Sequence, residues 1–208
     1  VNATAPRAWE KPDPLPGPIQ TERTVLRWWE PRDAEGLEEA VSGDRQALLP
    51  WLPWAASSHA SAEESLETIQ RFARDRNQAD ARDFVMGIFD RATGAVIGGT
   101  GFHRLSVEDL MGEIGYWIRG SAQRRGYATE AVSGLITAGF GPWGFRRITI
   151  CCAGRNVASQ AIPEKLGIRL EGVEREANWI DGVGWDDHLT YAVLAHEWDA
   201  GAGRVRKG

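Results

Sequence analysis

The residues able to do chemistry together fall in one stretch, Gln123-Arg124-Arg125-Gly126-Tyr127-Ala128-Thr129-Glu130. It lies between the strand-like run Glu113-Ile114-Gly115-Tyr116-Trp117-Ile118 and a helical pattern. Gly126 can take backbone angles that residues with a Cβ avoid, and it lets a ligand come close to the main chain. The first amides of a helix have no partner inside it and point outward with the positive end of the dipole, so a phosphate fits there. Arg124 and Arg125 add positive charge beside it. An ordinary solvated loop can share this composition. Two other phosphate loops are excluded: Gly-x-x-x-x-Gly-Lys-Ser/Thr does not occur, and Gly99-Thr100-Gly101 is followed by Phe102, His103 and Arg104 rather than by x-x-Gly.

The elements that must hold this loop can be read from periodicity. Ala128, Ala131, Val132, Leu135, Ile136 and Phe140 recur at three- and four-residue steps, giving a helix with one apolar face. Strands are expected at Thr24 to Trp29, Phe84 to Phe89, Ala95 to Leu105, Glu113 to Ile118, Arg147 to Cys152, Leu170 to Glu176 and Leu189 to Leu194. Asn178 to Trp185 joins the last two. Short connections make the earlier neighbours antiparallel, and the helix between Ile118 and Arg147 makes that pair parallel. The expected fold is therefore α/β of the α+β type: a mixed, mostly antiparallel sheet of about seven strands, helices on both faces, and a parallel step at the loop.

Two further helices frame it. Pro31 suits the first turn of one that carries Leu37, Ala40 and Val41, and Ser61 to Glu64 matches a capping box ahead of Leu66, Ile69 and Ala73. Leu48 to Trp54 is apolar but broken by Pro50 and Pro53, so a loop with large aromatics is expected. Asn156 is a good N-cap for a helix ending at Gly167. Pro163 lies inside that helix and deletes the bond to the Ser159 carbonyl, so a bend or a lost turn is expected there.

At 208 residues the chain can bury one sizeable core. Residues 1–19, with five prolines from Pro6 to Pro18, read as an extended arm, 20–198 as a single domain, and 199–208 as a loose tail. A net charge of -5 argues against general nucleic-acid binding, so any basic surface is local, with Arg119, Arg124 and Arg125 the leading group. Cys151 and Cys152 are adjacent in a strand pattern and poorly placed to bridge each other. No secretory segment and no apolar run near the ~20 residues of a membrane span are seen, so a cytoplasmic protein with no membrane association is expected. His59, His103, His188 and His196 have no metal-ligand spacing, and no metal is expected.

Gln123-x-x-Gly126-x-Ala128 resembles the pyrophosphate loop of the GCN5-related N-acetyltransferases (GNAT family). Its flanks, together with Asn156-x-x-Ser159 and Glu164-Lys165-Leu166-Gly167, are similar to the branch that acetylates ribosomal-protein N-termini. The likeness runs from Thr21 to about Trp198. It implies an acyltransferase that moves the acetyl group of acetyl-CoA to a primary amine. Cofactor contacts are implied at Trp117, Ile118, Gln123, Arg124, Arg125, Gly126, Tyr127, Ala128, Thr129, Asn156, Ser159 and Lys165, with pantetheine between the strand ending at Ile118 and the strand starting near Arg147. Ser159 matches the serine that the branch places near the CoA sulfur and is the candidate acid. Many relatives place an acid tyrosine at the position of Pro163, and this chain has none there. Glu113 is the candidate base, against an ion pair on a solvent face. Trp51, Trp54, His103 and Trp179 are candidates for the acceptor wall. The acceptor itself is open: a protein N-terminus, or a small amine such as an aminoglycoside, an amino acid or a polyamine. A non-catalytic acyl-CoA-binding module is the competing class. Relatives often dimerise, so a homodimer is a further expectation.

Overall fold

The computed structural model describes residues 9–206. Eight strands form one sheet: β1 (Ile19–Gln20), β2 (Thr24–Trp28), β3 (Phe84–Asp90), β4 (Val96–Ser106), β5 (Met111–Ile118), β6 (Arg147–Ala153), β7 (Arg169–Ile180) and β8 (Gly184–Leu194). Their spatial order is β1-β2-β3-β4-β5-β6-β8-β7, antiparallel throughout except between β5 and β6. The count of about seven missed only the two-residue β1. Helices α1 (Ala34–Ser42), α2 (Arg45–Leu48) and α3 (Ala62–Asn77) pack with Trp29, Phe89 and Val96 in one core. Helices α4 (Tyr127–Phe140) and α5 (Val157–Lys165) cover the opposite face, over Leu26, Ile114 and Ile148. The α4 stripe is buried at Ala131, Val132, Leu135 and Ile136, as its spacing requires.

The chain ends depart from expectation. Residues 1–8 of the expected arm lie outside the described residues, but Trp9 is buried and stacks on Trp143 and Phe145, and its indole donates to the Trp143 carbonyl. Prolines remove donors without preventing a single large side chain from anchoring the segment. The expected loose tail instead turns back as a hairpin, β9 (Trp198–Asp199) with β10 (Arg204–Val205). Trp198 is buried and bonds Thr137, and the Val205 amide donates to the Leu166 carbonyl.

The connection expected at Asn178 to Trp185 is also strand. Pairing continues to Ile180↔Gly184, so β7 and β8 make one long hairpin with a tight turn. The strand expected at Leu170 to Glu176 is present, and its extension carries exposed residues at Ala177 and Trp179, so alternation gave no signal for the added part.

Helix α5 runs from Val157 to Lys165 through Pro163 without losing a turn. The Ser159 carbonyl, which cannot receive a bond from Pro163, accepts one from the Tyr116 hydroxyl at 3.0 Å. A donor from the neighbouring strand replaces the missing amide and offsets part of what the proline costs.

Candidate active site

The sheet forks at its parallel step. β5 and β6 pair at Met111↔Arg147, Gly112↔Ile148 and Glu113↔Thr149, and no pairing follows. Beyond the fork β5 stays bonded to β4 as far as Ile118↔Gly98, and β6 stays bonded to β8 as far as Ala153↔His188. One edge of Ile114 to Ile118 therefore has no strand beside it. Backbone groups left this way seek a partner.

The turn ahead of α4 closes the far end of the fork. Gln123 Nε2 donates to the Ile118 carbonyl at 2.9 Å and ties the turn to the end of β5. Arg124 and Gly126 have positive φ, 59° and 84°, and Gly126 is the N-cap of α4. An added Cβ at Gly126 would lie 3.2 Å from the Arg23 guanidinium, in the space a ligand approaching the main chain would use. Among the described residues, the first amide at this helix start to find a backbone acceptor is that of Glu130, on the Gly126 carbonyl. The earlier amides are those a helix start leaves open.

Arg23, which sequence reasoning missed, locks the turn. Its Nε meets Glu130 at 2.7 Å, its Nη1 donates to the Arg125 carbonyl at 2.9 Å, and its guanidinium lies 4.8 Å from the Tyr127 ring centre. Burial pushes the Glu130 carboxyl up, but hydrogen bonds from Thr21 and Arg23 outweigh it and hold it below the usual range. The one acid in the first turn is thus ionised and neutralised. Tyr127 is buried with its hydroxyl on Asp90, so its side chain faces away from any ligand on the turn. Arg119 is turned to Glu39 and leaves the basic group that its position suggested.

A cavity of about 430 Å³ opens beside the turn, lined by Gly126, Thr129, Glu130, Lys165 and Arg204 among others. Lys165 was expected there. Arg204 was not, because it arrives on the C-terminal hairpin.

Ser159 stands in the first turn of α5, where Asn156 caps the helix by accepting from the Ser159 amide at 3.1 Å. Its hydroxyl lies 3.1 Å from that of Tyr116. Burial holds the nearby Cys152 thiol above its ordinary value, so Cys152 stays protonated. Cys151 and Cys152 are both free.

Glu113 closes the paired part of the fork and sits 3.4 Å from exposed Arg104, the ion pair that was its alternative reading. Side chains alternate along β5, so Glu113 and Trp117 share one face, while Ile114, Tyr116 and Ile118 share the other. The two catalytic candidates thus lie on opposite sides of the strand. On the Glu113 face, His103 is its cross-strand partner and bonds Asp83, and Trp54 meets the Trp117 ring edge to face at 6.0 Å. Trp117 lies over Gly99, whose added Cβ would fall 2.5 Å from the indole nitrogen, so the glycine run excluded as a nucleotide motif seats this ring. Trp51 sits half-buried in the turn before Trp54. Trp179 is 61% exposed and pairs with Trp185 at the hairpin tip, apart from the Trp54–Trp117 contact.

Open amides at a helix start, a glycine that clears their approach and two cations over an adjoining cavity fit the diphosphate and 3′-phosphate of coenzyme A. An acyl-CoA-dependent transferase is the class that this fold and turn define. Residues 23–169 match the family described as Acetyltransferase (GNAT) domain. The chain is 34% identical over 178 residues to the putative ribosomal N-acetyltransferase YdaF of Bacillus subtilis, covering 86% of this chain and 94% of that protein. The crystal structure of a probable acetyltransferase superposes with a TM-score of 0.77 at 32% identity, over 87% of this chain and 98% of the other. RimL, the ribosomal L7/L12 alpha-N-protein acetyltransferase solved in complex with coenzyme A, shares the fold with a TM-score of 0.75 at 24% identity, over 85% and 97%. The chain belongs to the GNAT family. It is an N-acetyltransferase that uses acetyl-CoA as acetyl donor and a primary amine as acceptor. Among the described residues, no helix is long and apolar enough to cross a membrane.

Proposed function

We propose that the acceptor is the N-terminal amine of a protein, acetylated in the fork between β5 and β6. The observation that carries this is the fork itself, with Glu113 on one side of β5 and Ser159 reached from the other. Acetyl-CoA supplies the activated acetyl thioester. The turn from Gln123 to Thr129 holds its phosphates, Lys165 at the end of α5 lines the cavity beside it, Asn156 at the start of α5 contacts the cofactor, and the free edge of Ile114 to Ile118 offers main-chain groups to the pantetheine arm. An amide near Ile118 stabilises charge on the thioester oxygen, an effect worth about 3 kcal/mol in comparable sites. The amine arrives on the Glu113 face, where Trp54, Trp117 and His103 form the wall. The departing sulfur receives a hydrogen bond from Ser159.

The acceptor follows from proton chemistry. An amine must be neutral to attack, and Glu113 is held in an ion pair with Arg104. An α-amine with a pKa of about 7.8 is roughly a tenth neutral at pH 7, whereas a lysine-like amine near 10.4 is neutral to less than about one part in a thousand. The relatives named for ribosomal-protein acetylation support the same choice. A cytoplasmic setting belongs to this reading. So does a homodimer, for which the exposed Leu170 and Val173 on the edge strand β7 offer a surface.

Thiol release from acetyl-CoA with N-terminal peptides and with small amines tests the proposal. Peptides should turn over fastest, Ser159→Ala should lower turnover more than acetyl-CoA binding, and Glu113→Gln should shift the basic-going limb of the pH profile. Preference for a polyamine, aminoglycoside or free amino acid would overturn the acceptor. Wild-type turnover in Ser159→Ala would remove the acid.

A further inference from the structure

Proline at position 163 deprives the Ser159 carbonyl of the amide that an α-helix supplies four residues on. The Tyr116 phenol, from β5 beyond the last residue paired to β6, spans the fork and reaches the same residue twice, 3.0 Å from the carbonyl and 3.1 Å from the hydroxyl. A phenol has one proton to give and lone pairs to receive one. With its proton on the carbonyl, it accepts from the Ser159 hydroxyl and fixes that rotamer.

We propose that Tyr116 is a positioning residue for acetyl transfer: it replaces the donor that Pro163 lacks and holds the Ser159 hydroxyl poised for the departing sulfur. This rests on the reading of Ser159 given above. As negative charge gathers on the sulfur, the serine hydroxyl turns to it, and the phenol proton, within reach of either Ser159 oxygen, follows onto the oxygen left behind. No proton changes owner in this exchange of hydrogen bonds. The neighbours permit it. Burial drives the Tyr116 phenol well above its ordinary value, and the Cys152 thiol is raised by burial too, so neither is an anion that would capture the serine proton. A phenylalanine at 116 would keep the ring and lose only these two bonds.

The test is a set of variants assayed for kcat and for the acetyl-CoA KM. Tyr116→Phe should lower kcat about tenfold, the rate equivalent of one hydrogen bond, with KM held within about twofold. Because it acts through Ser159, the Tyr116→Phe/Ser159→Ala double variant should be no slower than Ser159→Ala alone. Pro163→Ala added to Tyr116→Phe returns a backbone donor to the carbonyl, so it should recover thermal stability without recovering kcat. Recovery of kcat in that variant would mean that the phenol only mends the helix, and the proposal would fall. Wild-type kcat in Tyr116→Phe, or losses that multiply in the double variant, would overturn it while leaving Ser159 in place. Wild-type kcat in Ser159→Ala would instead refute the reading of the serine, and the proposal with it.

Discussion

His59 should make the protein acid-sensitive in a defined window. The ring is 4% exposed at the end of the Trp54 loop, with Nδ1 3.0 Å from the Ser65 hydroxyl and its edge against Trp54. Burial first, and then the charges of Arg45 and Arg71, lower its pKa from 6.5 to about 4. Above pH 6.5 the ring is neutral in both folded and unfolded chains, and the packing counts in full. As pH falls from about 6.5 to about 4, the unfolded chain takes up a proton that the folded one refuses, and stability drains away. The gap between these values, at about 1.4 kcal/mol for each tenfold, corresponds to about 3 kcal/mol over the whole window and about 2 kcal/mol by pH 4.5. The assay is urea unfolding at pH 7 and pH 4.5 on the wild type and on His59→Asn. Asparagine tolerates the left-handed backbone that His59 adopts at φ 59° and does not titrate. Hydrogen-bonded carboxylates such as Asp90, held below their usual range, lose their contribution at lower pH and do so in both proteins. The wild type should lose about 2 kcal/mol more than the variant between the two pH values. Equal losses would refute the assignment of a buried neutral histidine.

Two predictions concern the cofactor. Gly126→Val forces a β-branched residue to φ 84° beside Arg23, and a left-handed L-residue costs about 1–2 kcal/mol, so acetyl-CoA affinity measured by calorimetry should fall about tenfold or more. Unchanged affinity in a folded variant would remove the turn from the site. Arg204→Gln and Lys165→Gln, at the cavity beside Gly126, should each weaken acetyl-CoA by up to about fivefold while leaving the dephospho form untouched, since an exposed ion pair is worth up to about 1 kcal/mol. Equal losses for both ligands would place the 3′-phosphate elsewhere.

What could be read in the sequence, and what could not, divides along physical lines. The α4 stripe and the strands flanking the turn were legible because one face of each is buried and period follows burial. The outer end of the β7–β8 hairpin, Asn178 to Trp185, was read as a connection, since β7 is exposed along most of its length and gives no alternation there to follow. Trp9 and Arg204 were missed because nothing local to a proline-rich or glycine-rich end reports a contact made with a distant element. Pro163 carried a visible signal, but the donor that answers it stands 43 positions from Ser159. Helical rules could mark the vacancy and could not say which side chain fills it.

The fork supplies a reason for that filling. A parallel pair that ends after three residues leaves two strand edges facing each other inside a sheet, and such edges are stable only when something accepts their hydrogen bonds. At one end the Gln123 side chain caps the Ile118 carbonyl. Between Glu113 and Ile118 a further bridge is made by a side chain, Tyr116, which reaches α5; among the described residues no strand pairs the main-chain edge of β5 there. A chain of amides inserted along that edge would complete it as a strand does, and the pantetheine arm carries two amide groups. Were the donor for Ser159 supplied from within α5, as in an uninterrupted helix, β5 and α5 would have no such polar tie across the opening. The proline therefore ties β5 to α5 across the fork through the residue that orients the serine at its wall.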